Sequence, residues 1–174
     1  SLTLSNERDQ FENVRWPNEG YVTEIANPIT SDHTLLRQYI LPSLLRLLAA
    51  NRHHELPQRV YELGDVIRDS KNSLRAAWAC AEVGSGFTSS KGIAQALLRD
   101  MGAIQDDVEF RPADAEHGPW ITGRGSHVFI RDEKIGEFGE IDPKVSGFFG
   151  IKSPIQAGEI DLEAIYRIVP DPLS

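Results

Sequence analysis

The stretch from residue 27 to residue 68 constrains the fold more than any other part of the chain, because it places an amphipathic helix directly before a strand. Pro42 suits the first turn of a helix, where its missing N–H group would have no partner, and Pro57 stops the helix. We therefore predict a helix over residues 40–54. Four leucines share one face of this helix: Leu41, Leu44, Leu45 and Leu48.

Leu47 adds a fifth apolar position and widens the apolar stripe of this helix. A wide stripe in a small domain favours burial on two sides, against a sheet on one flank and against a partner chain on the other. The alternative is a helix buried on one side only. At the end of the helix, Arg52, His53 and His54 are placed to meet the free backbone carbonyls.

Composition limits the class of protein. The chain has 174 residues, 40% of them hydrophobic, which is typical of one soluble domain, and we assign residues 1–174 to it. With 26 acidic and 18 basic residues, the net charge of −8 argues against a main nucleic-acid-binding surface. The single cysteine, Cys80, lies in an apolar run, which predicts a buried thiol in a reducing, cytoplasmic compartment. Neither a signal peptide nor a bilayer-spanning apolar run is expected.

The order of the predicted elements indicates an α+β fold with a mainly antiparallel sheet, because most strands are joined by short turns. We expect a turn over residues 27–32, a bulge or bend at Gly64-Asp65 and capping of the second long helix by Ser89 or Ser90. Asp142 is expected to cap the next helix, with Pro143 at its first position. The predicted strands are residues 1–6, 21–27, 59–68, 73–84, 108–112, 126–130, 134–141 and 153–161. The further helices are 92–102, 142–151 and 162–169; 113–125 is predicted as a loop, and 33–40 is ambiguous.

Motif spacing does not predict a catalytic site. Adjacent His53 and His54 point to different sides of a helix, whereas metal-binding pairs are separated by three or four residues, so helix capping is the better interpretation. The glycine-containing segment GSGFTSSKG, residues 84–92, does not match a phosphate-binding loop. Such a loop has lysine directly after glycine, whereas here Lys91 precedes Gly92. We expect no metal or cofactor to be bound by this chain, and no catalytic residue.

Three blocks of sequence nevertheless resemble one family. They are NPITSDHTLLRQYILPSLLRLLAANRHHELPQRVYELGDVI, FTSSKGIAQALLRDMG and GRGSHVFIRDEKIGEFGEIDPKVSGFFGIKSPIQAGEIDLEAI. In order and spacing they are similar to the C-terminal, catalytic-like domain of the β subunit of phenylalanine–tRNA ligase, of the archaeal and eukaryotic type. The blocks span residues 27–165, which is most of the chain. The resemblance implies a class II aminoacyl-tRNA synthetase-like architecture: an antiparallel sheet flanked by helices.

The resemblance also implies where a catalytic relative would grip ATP. Residues 59–83 correspond to the strand–loop–strand that holds ATP, and residues 153–169 to the last strand and helix. On this mapping Tyr61 precedes Glu62 where an arginine is expected, and Leu162 and Glu163 stand where a second arginine is expected. Since arginines stabilise the charge that develops on the transferred phosphate, we expect this domain alone to be inactive.

The function implied by the resemblance is structural. The domain would pack on the catalytic α subunit in an (αβ)2 enzyme that uses ATP and magnesium to aminoacylate tRNA(Phe), as part of a longer β subunit. The alternatives are an ATP-binding or adenylating domain with residual activity, and a free-standing interaction module. The residues that we expect at the subunit interface are Leu41, Leu44, Leu45, Leu47, Leu48 and His54.

Overall fold

The structure is a computed structural model that describes residues 4–6, 8–17, 35–68, 71–84, 87–114 and 116–169. It contains eight strands within those residues: β1 (Leu4–Ser5), β2 (Leu35–Leu36), β3 (Gln58–Arg68), β4 (Lys71–Ala81), β5 (Val108–Pro112), β6 (Trp120–Ile130), β7 (Glu133–Ile141) and β8 (Ile155–Asp161). The α-helices are α1 (Leu41–Ala50), α2 (Phe87–Asp100), α3 (Pro143–Phe148) and α4 (Leu162–Ile168); a π-helical turn (Arg8–Glu12) and a 3-10 turn (Gln105–Asp107) complete the set.

One six-stranded antiparallel sheet organises these elements, in the order β3-β4-β8-β7-β6-β5. A separate two-stranded pairing joins β1 to β2. The prediction of an α+β fold with an antiparallel sheet is therefore confirmed. The predicted strand 21–27 and the turn at 27–32 lie outside the described residues, and the ambiguous segment 33–40 contains the short strand β2.

The hairpin of β3 and β4 is regular from end to end, with Gln58 opposite Ala81 and Arg68 opposite Lys71. The predicted bulge at Gly64-Asp65 is therefore wrong. Gly64 has another reason to be glycine: a Cβ there would lie 2.6 Å from a guanidinium nitrogen of Arg37. The glycine leaves space for a packed arginine and does not interrupt the strand.

The hairpin of β6 and β7 is confirmed, with a tighter turn than the sequence indicated. Arg131 and Asp132 have positive φ values of 49° and 66°, which is the conformation of a two-residue type I′ turn. The predicted loop 113–125 is wrong over its second half, because β6 already begins at Trp120. The pairing with β7 is irregular between Trp120 and Gly125, which explains why the sequence lacks a clean strand pattern there.

The helix ends also differ from the predictions. α1 ends at Ala50, so His53 and His54 lie in the exposed turn beyond it. The predicted capping by Arg52 is confirmed, because its Nη1 donates to Ala49 O at 2.8 Å. Asn51, which the sequence did not indicate, also caps the helix, since its Nδ2 donates to Leu47 O at 3.1 Å.

α2 begins at Phe87, so Ser89 and Ser90 are inside the helix and do not cap it. Ser90 is fully buried, and its hydroxyl lies 3.3 Å from the carbonyl of Ala157 and 3.4 Å from that of Gly139. The prediction that Asp142 caps the next helix is confirmed, since it accepts from the N–H group of Lys144 at 2.9 Å.

Both faces of the sheet are covered. On β4, alternate side chains enter two different cores: Ala77, Ala79 and Ala81 pack under α1, whereas Ala76, Trp78 and Cys80 pack under α2 and α4. We call these two sides the α1 face and the α2 face. Cys80 is 2% exposed, as expected of a structural thiol, and burial raises its pKa.

Candidate functional site: the α1 face of the sheet

A single carboxylate, that of Glu159, joins the middle of the sheet to the start of α1. Its oxygens accept hydrogen bonds from the backbone N–H of Ile40, at 2.8 and 2.9 Å, and from that of Leu41, at 2.7 Å. Ile40 is the N-cap residue and has no side-chain cap of its own. Glu159 lies 119 residues after Ile40 in the sequence, yet it accepts the hydrogen bonds of the N–H groups at the start of α1. It also places a negative charge at the positive end of the helix.

Arg75 balances this buried charge. Its Nε donates to Glu159 at 2.6 Å, and one of its terminal nitrogens lies 3.8 Å from Asp161. Burial opposes the charge on Arg75, but the attraction of Glu159 and Asp161 outweighs it and raises the pKa of the guanidinium. The result is a buried ion pair on the neighbouring strands β4 and β8.

A second ion pair ties the segment before α1 to the edge of the sheet. Arg37, whose side chain is 1% exposed, lies 2.6 Å from the carboxylate of Glu62 on β3. Its Nε also donates to the carbonyl of Asp65 at 3.0 Å, and its own carbonyl accepts from the N–H of Ile67 at 2.8 Å. The carboxylate of Glu62 is therefore already neutralised within the chain.

Aromatic side chains from the N-terminal segment cover the same face. Trp16 stacks on Tyr39 with 4.5 Å between ring centroids, and the guanidinium groups of Arg68 and Arg75 lie 4.9 and 5.8 Å from the Tyr39 ring. Arg68 also donates to the carbonyl of Gln38 at 3.0 Å. Aromatic rings and cations thus hold each other in place over β4 and β8.

What remains open between these groups is a cavity of about 90 Å³. Pockets for small ligands measure roughly 300 to 1,000 Å³, so this cavity is too small for a nucleotide and has room for about three water molecules. Trp16 lines it, and its buried indole N–H has no hydrogen-bond partner among the described residues. The charged side chains of the lining are Arg68, Arg75, Lys134, Glu137, Glu159 and Asp161.

Glu137 lies directly opposite Glu159 in the pairing of β7 with β8, yet it stays ionised. Burial alone would raise the pKa of Glu137, but contacts with His127, Lys134 and Trp120 lower it to about 2. Lys134 Nζ lies at 3.0 Å, Trp120 Nε1 donates at 2.9 Å, and His127 Nε2 lies farther away at 3.5 Å. Because each carboxylate has its own donors, two like charges can face each other on neighbouring strands.

The predicted interface residues fall into two groups. Four of them are between 0 and 2% exposed and belong to the core of this chain: Leu41, Leu44, Leu45 and Leu48. Leu47 is 44% exposed, and His54 is also exposed. The wide stripe of α1 therefore separates into an inner set that packs on the sheet and an outer leucine that faces solvent. The interface itself stays a prediction and now concerns Leu47 and His54.

The residues that stand where arginines were expected do not meet on this face. Tyr61 is 60% exposed on the α2 face, opposite Trp78 in the pairing, and Leu162 is buried at 3% in the core of the α2 face. Glu163 accepts a long hydrogen bond of 3.4 Å from the N–H of Leu74. None of these three side chains supplies a cation to the cavity.

Sequence reasoning missed the residues that form the site: Arg37, Arg68, Arg75, Glu137 and Glu159. One signal was present, because Arg75 and Glu159 each interrupt a run of small or apolar residues (SLRAAWACA and IQAGEID). A charge at a position that alternation places inside a core calls for an opposite charge on a neighbouring strand. The partner could not be identified without the strand order.

No group of three or more His, Cys, Asp or Glu side chains among the described residues is arranged to hold a metal ion. No helix in the described part of the chain is long and apolar enough to cross a membrane.

Known proteins resemble this chain over nearly its whole length. Residues 1–162 match the family described as the phenylalanyl tRNA synthetase beta chain CLM domain. Similar proteins include phenylalanine–tRNA ligase beta subunits from Pyrococcus furiosus (38% identical, covering 96% of this chain and 30% of the relative), Methanopyrus kandleri (37%, 95% and 28%) and Archaeoglobus fulgidus (34%, 95% and 30%). The chain thus spans about 30% of the length of these relatives. Because the match covers residues 1–162 of 174, this chain belongs to the family of phenylalanyl-tRNA synthetase β-chain CLM domains.

Proposed function

We propose that this chain is a non-catalytic structural domain of a phenylalanine–tRNA ligase β subunit. In this proposal it is the C-terminal, catalytic-like domain of a longer, cytoplasmic β subunit, with a class II synthetase-like architecture. It packs on the catalytic α subunit in an (αβ)2 enzyme that aminoacylates tRNA(Phe). The holoenzyme uses ATP and magnesium, and this domain binds neither.

The observation that carries the proposal is the filled α1 face. Arg75 is neutralised by Glu159, which also holds the start of α1, and Trp16 and Tyr39 cover the neighbouring surface. Among the described residues, the cavity left between these groups measures about 90 Å³. A face whose charged groups are paired and whose surface is covered by side chains stabilises the domain. An adenylating site, by contrast, needs an open pocket with cations available for phosphate.

One observation favours the alternative, an ATP-binding domain with residual activity. Arg68, Arg75 and Lys134 line the same cavity, and cations gathered in one place can bind phosphate. Their counter-charges favour the structural proposal, because the three carboxylates of Glu137, Glu159 and Asp161 line that cavity as well.

The subunit interface can be tested at Leu47. This side chain is 44% exposed on α1, so Leu47→Asp leaves the core intact, and we expect it to weaken association with the α subunit because a charge would be buried at the interface. Association is measured by co-purification and by titration in analytical ultracentrifugation. Leu44→Asp would be uninformative, since Leu44 is 2% exposed and its replacement by a charge unfolds the domain.

Ile104→Asp is the matched control. Ile104 is 60% exposed between α2 and the 3-10 turn, away from α1. We expect this variant to associate like the unmodified chain. If Leu47→Asp also associates normally, α1 is not the contact with the α subunit; if the unmodified chain does not bind the α subunit at all, the structural role is refuted.

A further inference from the structure

A groove on the opposite side of the domain has the size and lining of a ligand site. It lies on the α2 face, between α2 and the edge strand β5, and has a volume of about 630 Å³. This value falls within the roughly 300 to 1,000 Å³ typical of small-molecule pockets. The groove is separate from the ion-paired α1 face, because the two share no lining residue.

The wall that α2 forms is polar and positively charged. Lys91, Gln95 and Arg99 follow one another at intervals of four residues, so they project from one side of the helix into the groove. Among the described residues of the lining, Asp106 is the one acidic residue, which leaves an excess of positive charge. In a chain with a net charge of −8, this local excess favours an anionic ligand.

The opposite wall is apolar. Val108 and Phe110 of β5 face α2, and the ring of Phe110 packs edge-on against Phe138 at 5.3 Å. Lys91 Nζ lies 5.7 Å from the centre of the Phe110 ring, so a cation and an aromatic surface stand side by side.

A second hollow continues the groove beyond Phe110. It measures about 320 Å³ and shares Lys91 and Phe110 with the first. Its floor includes Gly123, and nothing lies within 4 Å of the position that a Cβ would take there. Pro112 and Phe138 complete an apolar compartment next to the positive one.

We propose that this continuous groove binds a small amphipathic anion, with its aromatic or acyl body in the hollow beside Phe110 and its anionic group at Lys91 and Arg99. The two compartments meet at Lys91, so one molecule can contact both. An extended peptide added to β5 is disfavoured, because β5 has five residues and Pro112 has no N–H to donate.

Anilinonaphthalene sulfonate is a suitable probe, since it joins an aromatic body to a sulfonate. Its binding to the folded chain is followed by fluorescence, and its site by amide chemical shifts in NMR spectra. We expect shifts to concentrate at Lys91, Phe110 and Gly123. Lys91→Glu should weaken binding about fivefold, the size expected for a half-exposed charge contact. Lys152→Glu, at an exposed lysine elsewhere, is the matched control and should leave binding unchanged.

Phe110→Ala tests the apolar half and should also weaken binding, with folding of each variant verified by circular dichroism. The uncharged analogue phenylnaphthylamine should bind more weakly and should not respond to Lys91→Glu. Equal affinities in Lys91→Glu and Lys152→Glu, or amide shifts confined to other surfaces, would overturn the proposal. Binding of the uncharged analogue as tight as that of the sulfonate would refute the anionic specificity.

Discussion

Arg75 and Glu159 lie 2.6 Å apart on neighbouring strands, and their side chains are only 8% and 1% exposed. Replacing one partner leaves the other charge buried without compensation, which costs about 3 to 5 kcal/mol. We therefore expect Arg75→Met to lower the free energy of unfolding by about that amount, as measured by urea denaturation. Glu159→Gln should cost at least as much, because it also weakens the bonds to the start of α1.

The exposed pair of Glu109 and Arg111 on β5 provides the control. These side chains lie 2.9 Å apart, a distance similar to that of the buried pair, but they are 39% (Arg111) and 57% (Glu109) exposed. Exposed ion pairs contribute little to stability, so Glu109→Gln should leave the urea midpoint unchanged. If Glu109→Gln and Glu159→Gln lowered the free energy of unfolding equally, burial would not determine how much an ion pair contributes to stability.

The pH dependence of stability should report on Glu137. Because its pKa is lowered from 4.5 to about 2 in the folded chain, the folded state binds fewer protons than the unfolded state in that interval. The stabilisation by this carboxylate is complete above pH 4.5 and is lost as the pH falls toward 2. Glu137→Gln should therefore flatten the plot of unfolding free energy against pH in this range. If the slope for Glu137→Gln equalled that of the unmodified chain, the lowered pKa of Glu137 would not be the cause of this pH dependence.

Close packing of a glycine against a tryptophan gives a prediction that does not involve charge. A Cβ at Gly158 would collide with the six-membered ring of Trp78, which is itself 1% exposed. We expect Gly158→Ala to cost about 1 to 3 kcal/mol, as overpacked cores do, and to change the fluorescence of Trp78. Gly147→Ala is the control: nothing lies near its Cβ position on α3, and it should be neutral or slightly stabilising. Equal effects of the two substitutions would argue against tight packing at Gly158.

The sequence predicted the elements well wherever local patterns decide them. Alternation located β3, the hairpin of β6 and β7 and the last strand, and Asp142 with Pro143 marked the start of α3. The errors came from long-range contacts. Gly64 leaves space for the guanidinium of Arg37, and the hydroxyl of Ser90, inside α2, lies close to two carbonyls of the sheet. Neither contact is visible in local sequence.

The site itself was beyond the reach of sequence reasoning. The family resemblance implied that an arginine is missing beside Glu62, but not that Arg37, 25 residues earlier, neutralises this carboxylate. Likewise, the leucine stripe predicted which side chains of α1 are apolar. It did not predict that the first N–H groups of this helix bond to Glu159, far along the chain. Such pairings depend on strand order and tertiary packing, which a single sequence does not encode locally.

If the α1 face stabilises the domain and does not catalyse, this chain alone will show no phenylalanine-dependent exchange between ATP and pyrophosphate above the blank. The complete ligase is the positive control. Measurable exchange by the chain that disappears in Arg68→Ala would overturn the structural role of this face, because Arg68 would then be bound to phosphate and not only to the carbonyl of Gln38 and the ring of Tyr39.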